Sequence, residues 1–151
     1  MITDAWQSGS EKINKLLTSL SDEDLEMEIA PGKNKAKLIV ALLAAMNDST
    51  INVLNIGEII NPDVFNYFKN DDRTLPIPAT TKEIRQYWLT SYQWINSKIK
   101  DFTPDDWFEK HSAISKEDFE KQPERNKLNV ILNRAQKMEY FSGQLVLLSK
   151  K

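Results

Sequence analysis

Few residues in this chain are of types that do chemistry, and they are scattered. The one histidine is His111. A lone imidazole titrates near neutral pH and could serve as a general base. No serine or acid stands at a telling spacing from it, so a loop histidine making one hydrogen bond is the favoured reading. The sequence has no cysteine, which excludes disulfides, thiolate nucleophiles and zinc–thiolate sites. With a single histidine, a three-ligand catalytic zinc site is short of its usual donors. Lys137 and Phe141 are four apart and so share one helical face. Lys137 has two readings. Its ammonium could bind an anionic group in a cleft, or its stem could pack on Phe141 while the charge reaches water; the second is favoured. A buried Lys137 would need a partner, for which Asp48 and Glu139 are candidates. Asn47 and Asp48 could contact a ligand, but they are expected at the surface or facing a loop. Of Trp6, Trp88, Trp94 and Trp107, only Trp107, in a short connecting segment, is a pocket-lining candidate; the others read as core or interface.

Composition narrows the function classes. The 151 residues carry 20 basic and 22 acidic side chains, a net charge of −2. That length predicts one domain, residues 1–151, able to bury a core without staples. The charge balance argues against nucleic acid, which needs a clustered basic face. Lys33, Lys35 and Lys37 read as the solvated start of a helix. The N-terminus shows no basic region followed by an apolar run. The longest apolar-rich window, Leu38 to Met46, is too short to span a bilayer. A soluble, cytoplasmic protein with no membrane partner is expected.

The elements that must position these residues are helical. Helix 1 is predicted from about Asp4 to Leu20, with Ile13, Leu16, Leu17 and Leu20 on one stripe. Ser21 to Asp24 reads as the start of a short helical turn. Helix 2 is predicted from Asn34, as N-cap, to about Ile56, with Gly57 as its breaker. The stretch from Asn61 to Thr80, with Pro62, Pro76, Pro78 and Asp71-Asp72, reads as a long connection of the kind that is often functional. Helix 3 opens at Thr80 and Glu83, which have capping-box spacing. Ile84, Trp88, Ser91, Ile95 and Ile99 form its core stripe. Tyr87, Trp94 and Lys98 form a second stripe, which either covers the core edge or meets a loop or another subunit. Thr103-Pro104 and Ser115 start two short helices. Helix 4 is predicted from Pro123 or Glu124 to about Leu148, with Leu128, Ile131, Leu132, Ala135, Met138, Leu145 and Leu148 facing inward. Gly143 is expected to allow close helix approach, and Gln144 to bond a nearby loop. The reading is an all-α, four-helix bundle with a long helix 2–helix 3 connection and short extra helices before helix 4.

Two segments carry a family likeness. One runs through Gly32-Lys33-Asn34-Lys35, Leu42 to Asp48, and Leu54-Asn55-Ile56-Gly57-Glu58. The other is Asn133 to Leu145, ending in Gly143-Gln144-Leu145. Between them, Trp107-Phe108 and His111 to Phe119 add to the pattern. Together they resemble the DinB-like four-helix-bundle family. The resemblance implies an unusual helix arrangement, a homodimer, and in several members metal-dependent thiol transferase or isomerase activity. It also implies a metal held by one histidine of helix 2 and two of helix 4. Those positions here are Leu42, Lys137 and Phe141. Leu and Phe have no donor atom, and Lys must lose its proton to coordinate. The expectation is therefore a member without the metal site or any cofactor; whether it is an enzyme stays open, and the loss of the ligands leans against it. Its role would be non-catalytic, small-molecule binding or protein interaction. Leu42, Asp48, Trp107, Lys137 and Phe141 would line the vacated cleft. The alternative is a thiol-dependent enzyme working without that metal.

Overall fold

Side chains mark the helix starts of this chain. Ser21, Thr80 and Thr103 each accept a hydrogen bond from the backbone N–H three residues on, while Asp24, Glu83 and Asp106 accept from the cap residue's own N–H. These reciprocal bonds satisfy donors that the first turn leaves without partners. The computed structural model describes residues 2–70 and 74–149. Within them the chain forms eight helices: α1 Ile2–Ser19, α2 Asp22–Leu25, α3 Ala36–Val53, α4 Pro62–Asn70, α5 Thr81–Ile99, α6 Pro104–Phe108, α7 Lys116–Lys121 and α8 Lys127–Ser149. Among the described residues, β-structure is limited to two isolated bridges, Glu28 with Lys35 and Lys110 with Asn126. The protein is all-α.

The long helices pack in the order α1, α8, α3, α5, with α5 closing back on α1. The consecutive long helices α1 and α3 are therefore not neighbours. Two indole–amide pairs join α1 to α5: Trp6 donates to Asn96 Oδ1 and Trp88 to Asn14 Oδ1, each at 2.6 Å. Positions rise along α1 as they fall along α5, so the two helices run antiparallel. At the other side, Glu26 pairs with Lys37 near the start of α3 and accepts from Thr81 Oγ1 at the start of α5. Farther along, Asn47 Nδ2 donates to Ser91 Oγ at 3.0 Å, and Trp94 Nε1 donates to the Ile56 carbonyl at 3.0 Å. So α3 and α5 run parallel. Parallel neighbours need a connection that travels back along the helix, roughly 27 Å for eighteen residues. Residues 54–80 supply it.

That crossover corrects the sequence reading in two places. It is not structureless: Pro62–Asn70 forms α4, an amphipathic helix that packs on α3. The Asp71-Asp72 pair lies outside the described residues. Nor is Gly57 the breaker of α3. The helix ends at Val53, and the left-handed residue is Asn55, φ 57°, a conformation that Asn tolerates better than most residues. Gly57 serves a close approach instead. A Cβ there would lie 2.7 Å from Trp94 Nε1.

The core follows the expected stripes. Ile13 and Leu17 of α1 and Leu20 just past its end are buried, as are all five residues of the main α5 stripe. On α8, Ile131, Ala135, Met138, Leu145 and Leu148 are buried, whereas Leu132 is exposed. Helix α3 is the one described helix long and apolar enough to cross a membrane, longer than its Leu38–Met46 window suggests, and 61% of it is buried within the protein. Two helix starts differ from expectation. The N-cap of α3 is Lys35, without a side-chain bond, rather than Asn34. Helix α8 begins at Lys127, where Asn126 Oδ1 accepts from Asn129 N at 2.9 Å.

Gly143 lies in the middle of α8 facing open space, with no atom within 4 Å of a Cβ built there. It makes no close helix approach. Interior helical glycine is less favourable than alanine by about 1 kcal/mol. Gly143→Ala should therefore raise stability by up to about 1 kcal/mol, whereas Gly57→Ala should lower it by roughly 1–3 kcal/mol through the clash with Trp94. Urea denaturation of both variants checks the opposite signs.

Candidate ligand-binding site

Asn47 and Asp48 are buried rather than at the surface. The Asp48 carboxylate accepts from the backbone N–H of Ile60 at 2.8 Å, from that of Asn61 at 3.0 Å, and from the Tyr87 hydroxyl. Burial, then the hydrogen bond and charge of Asp48, raise the Tyr87 pKa far above its ordinary range, so the phenol stays a neutral donor. Asn61 Oδ1 in turn accepts from Val64 N at 3.1 Å, starting α4. Of the second stripe of α5, Tyr87 thus bonds α3 itself and Trp94 the loop that follows it. Asp48 is an anchor for the crossover, not a cleft residue.

Two cavities flank the seam between α3 and α8, and Arg134 lines both. The first, about 380 Å³, carries His111, Arg134 and Lys137 as its titratable groups, with Asn133 and Gln136 beside them. Val53, Ala113 and Val130 supply apolar wall. Among the described residues, no acid lines it. The second, about 270 Å³, lies between α3, α4 and α8.

Arg134 is held in place by α3. Its Nε–H donates to Thr50 Oγ1 at 3.1 Å, and the buried Thr50 hydroxyl donates to the Met46 carbonyl at 2.9 Å. A guanidinium has five N–H donors. Among the described residues, no other hydrogen bond and no carboxylate within ion-pair distance uses the remaining four. Burial lowers the Arg134 pKa from its ordinary value, yet an arginine stays charged at neutral pH. Lys137 is exposed, as the snorkelling reading expected, and also lacks a carboxylate partner among the described residues. Glu139, suggested as its partner, pairs with Lys12 at 2.7 Å.

His111 reaches this cavity from the loop after α6. Ser112 N donates to the Val53 carbonyl at 2.9 Å and Ser112 Oγ to the Asn52 carbonyl at 3.2 Å, tying the loop to the end of α3. His111 Nδ1 accepts from Ala113 N at 3.2 Å. That bond leaves Nε2 as the nitrogen able to donate.

The five expected cleft residues do not converge. Lys137 lines the first cavity and Leu42 the second. Phe141 is half-buried against the core, edge-on to Tyr140 at 5.1 Å. Trp107 packs edge-to-face on Phe102 at 4.9 Å, and Asp48 is enclosed under the crossover. Gln144 makes no hydrogen bond to a loop among the described residues. The metal that the family resemblance implies does not fit these side chains. Among the described residues, no group of three or more His, Cys, Asp or Glu is placed to hold an ion. Arg134 was missed by sequence reasoning. Its signal was available, a cation on the Lys137 face one turn earlier, but what a half-buried arginine meets depends on segments remote in the chain. No protein-family model matches the chain, and no curated protein matches it.

Two outcomes follow. Asp48→Asn turns an amide donor toward backbone donors and should cost roughly 2–4 kcal/mol. Tyr87→Phe should cost less, because both backbone donors keep their acceptor. Hydrogen exchange at Ile60 and Asn61 should quicken in the first variant and remain slow in the second. Separately, desolvation, then the charges of Arg125 and Lys110, lower the His111 pKa from 6.5. Below that value the unfolded chain binds the proton more readily than the folded one, so stability falls as pH drops from 6.5. Glu26, Glu83 and Asp106, lowered from 4.5, 4.5 and 3.8, lose their contributions only in more acid solution. Urea midpoints between pH 7.5 and 5.5 should decline in the wild type and less so in His111→Gln.

Proposed function

We propose that this is a DinB-like four-helix-bundle protein without the family metal site, and that it binds a small anionic molecule non-catalytically between α3 and α8. The observation that carries the reading is the Arg134 guanidinium, fixed by Thr50 in a cleft with Lys137 and His111 and with no acid among the described residues. Holding a half-buried cation without a counter-charge is unfavourable. An anion taken up from solution would relieve that cost, and guanidinium geometry suits carboxylate or phosphate oxygens. The crossed order of the long helices and the parallel α3–α5 pair support the bundle reading, since the resemblance implies an unusual helix arrangement. A homodimer in the cytoplasm is the setting that reading implies. Among the described residues, no hydroxyl or thiol lines the cavity with His111, and Asp48 is committed to structure.

Sulfate titration followed by amide chemical shifts tests the site. Saturable shifts are expected at Ala113, Asn133 and Lys137. Arg134→Gln should weaken binding about tenfold or more, and Lys137→Gln should weaken it less. Because an anion favours the charged imidazole, binding should be tighter at pH 5.5 than at pH 7.5, and His111→Gln should flatten that dependence. Absence of saturable shifts, or equal affinity in Arg134→Gln, would overturn the proposal. So would stoichiometric zinc or nickel retained through gel filtration.

A further inference from the structure

The second cavity gives the anion a body. Its walls are Leu42, Ala45 and Met46 on one face of α3, and Phe65 and Phe68 on α4. Its charged lining residues are Arg134 and Lys69, both cations. Neither has a carboxylate partner among the described residues. Among the described residues no acid lines the trough, and an apolar wall carrying cations complements a molecule that is apolar along most of its length and anionic at its head. Arg134 belongs to both cavities, so a head group on its free N–H donors can leave its tail in the trough.

Three features set the trough apart from a chance gap. Helix α4 packs on α3 and buries Val64 fully, while Phe65 and Phe68 remain half-buried with their rings toward the gap. Leu42 is likewise half-buried where its neighbours Ala41 and Leu43 are enclosed. Ala45 is a small side chain facing two phenylalanines, which leaves space that a larger residue would fill. Resting on the anion reading above, we infer that the ligand is an amphipathic anion: a carboxylate-type head held by Arg134, with an unbranched apolar chain lying between α3 and α4 against Leu42, Met46, Phe65 and Phe68.

The test compares butyrate, hexanoate and octanoate with octanol and sulfate, by calorimetry on the full chain. Affinity should rise roughly fourfold for each methylene that enters the trough. Octanol should bind at least tenfold more weakly than octanoate, and Arg134→Gln should bring octanoate down toward octanol. Leu42→Asn should reduce the dependence on chain length. Should that variant fail to fold, magnetisation transfer between the octanoate terminal methyl and the Met46 methyl in the wild-type protein reports the same contact. If sulfate binds at Arg134 while octanoate is no tighter than butyrate, the trough assignment falls and the anion site stands. If neither sulfate nor any carboxylate binds, both fall. If octanol matches octanoate, or the methyl transfer is absent at saturation, the amphipathic assignment is overturned.

Discussion

A buried carboxylate that must find donors organises this protein. Asp48 lies on α3 with no access to solvent, and an ionised oxygen pair there is tolerable only when it is hydrogen-bonded. The donors come from two separate stretches: α5 brings Tyr87, and the returning loop brings two backbone N–H groups to the carboxylate on α3. Satisfying Asp48 therefore fixes where the chain leaves α3, how α5 is rotated, and where α4 begins. Asn47, the residue before it, makes a second polar tie to Ser91. Buried polar pairs of this kind contribute modestly when made and are costly when broken, so they select one register between α3 and α5.

The parallel run of α3 and α5 propagates that constraint outward. A chain that must return along α3 before starting α5 has to cover what it crosses, and α4 is the piece that does so. Its amphipathic face lies on α3 beside α8, which creates the trough as a by-product of topology. On the opposite side of the seam, the loop bearing His111 is tied to the end of α3 through Ser112. The two cavities are thus built by two connections folding back over one buried helix. Arg134 stands where they meet, and Thr50, one turn beyond Met46 on α3, aims it.

Much of this was legible beforehand, where the physics is local. Ser21, Thr80, Thr103 and Ser115 cap their helices because a hydroxyl three residues before an unpaired N–H meets it without help from the rest of the fold. The α5 stripe of Ile84, Trp88, Ser91, Ile95 and Ile99 is buried because helical spacing alone puts those residues on one face. The misreadings share an opposite cause. Asp48 looked like a surface residue because its chemistry is polar, and its partners are 12, 13 and 39 residues away. Residues 62–70 looked like loop because Pro and Asn dominate the flanks, although Pro62 at the first helical position starts α4. Gly143 was expected to make room for a neighbour, but α8 turns that position away from the other helices.

What the amino-acid order alone determined was the helical class, the helix starts capped by Ser and Thr, the stripes that enter the core, and the unsuitability of Leu42, Lys137 and Phe141 as metal ligands. Those properties depend on neighbours within a turn or two, or on the atoms a side chain possesses. Which helices lie side by side was decided only in three dimensions. So were the enclosure of Asp48 and the meeting of Arg134, Lys137 and His111 around one cleft. Pairing and desolvation are properties of distances between remote segments, and those distances exist only once the crossover has closed over α3.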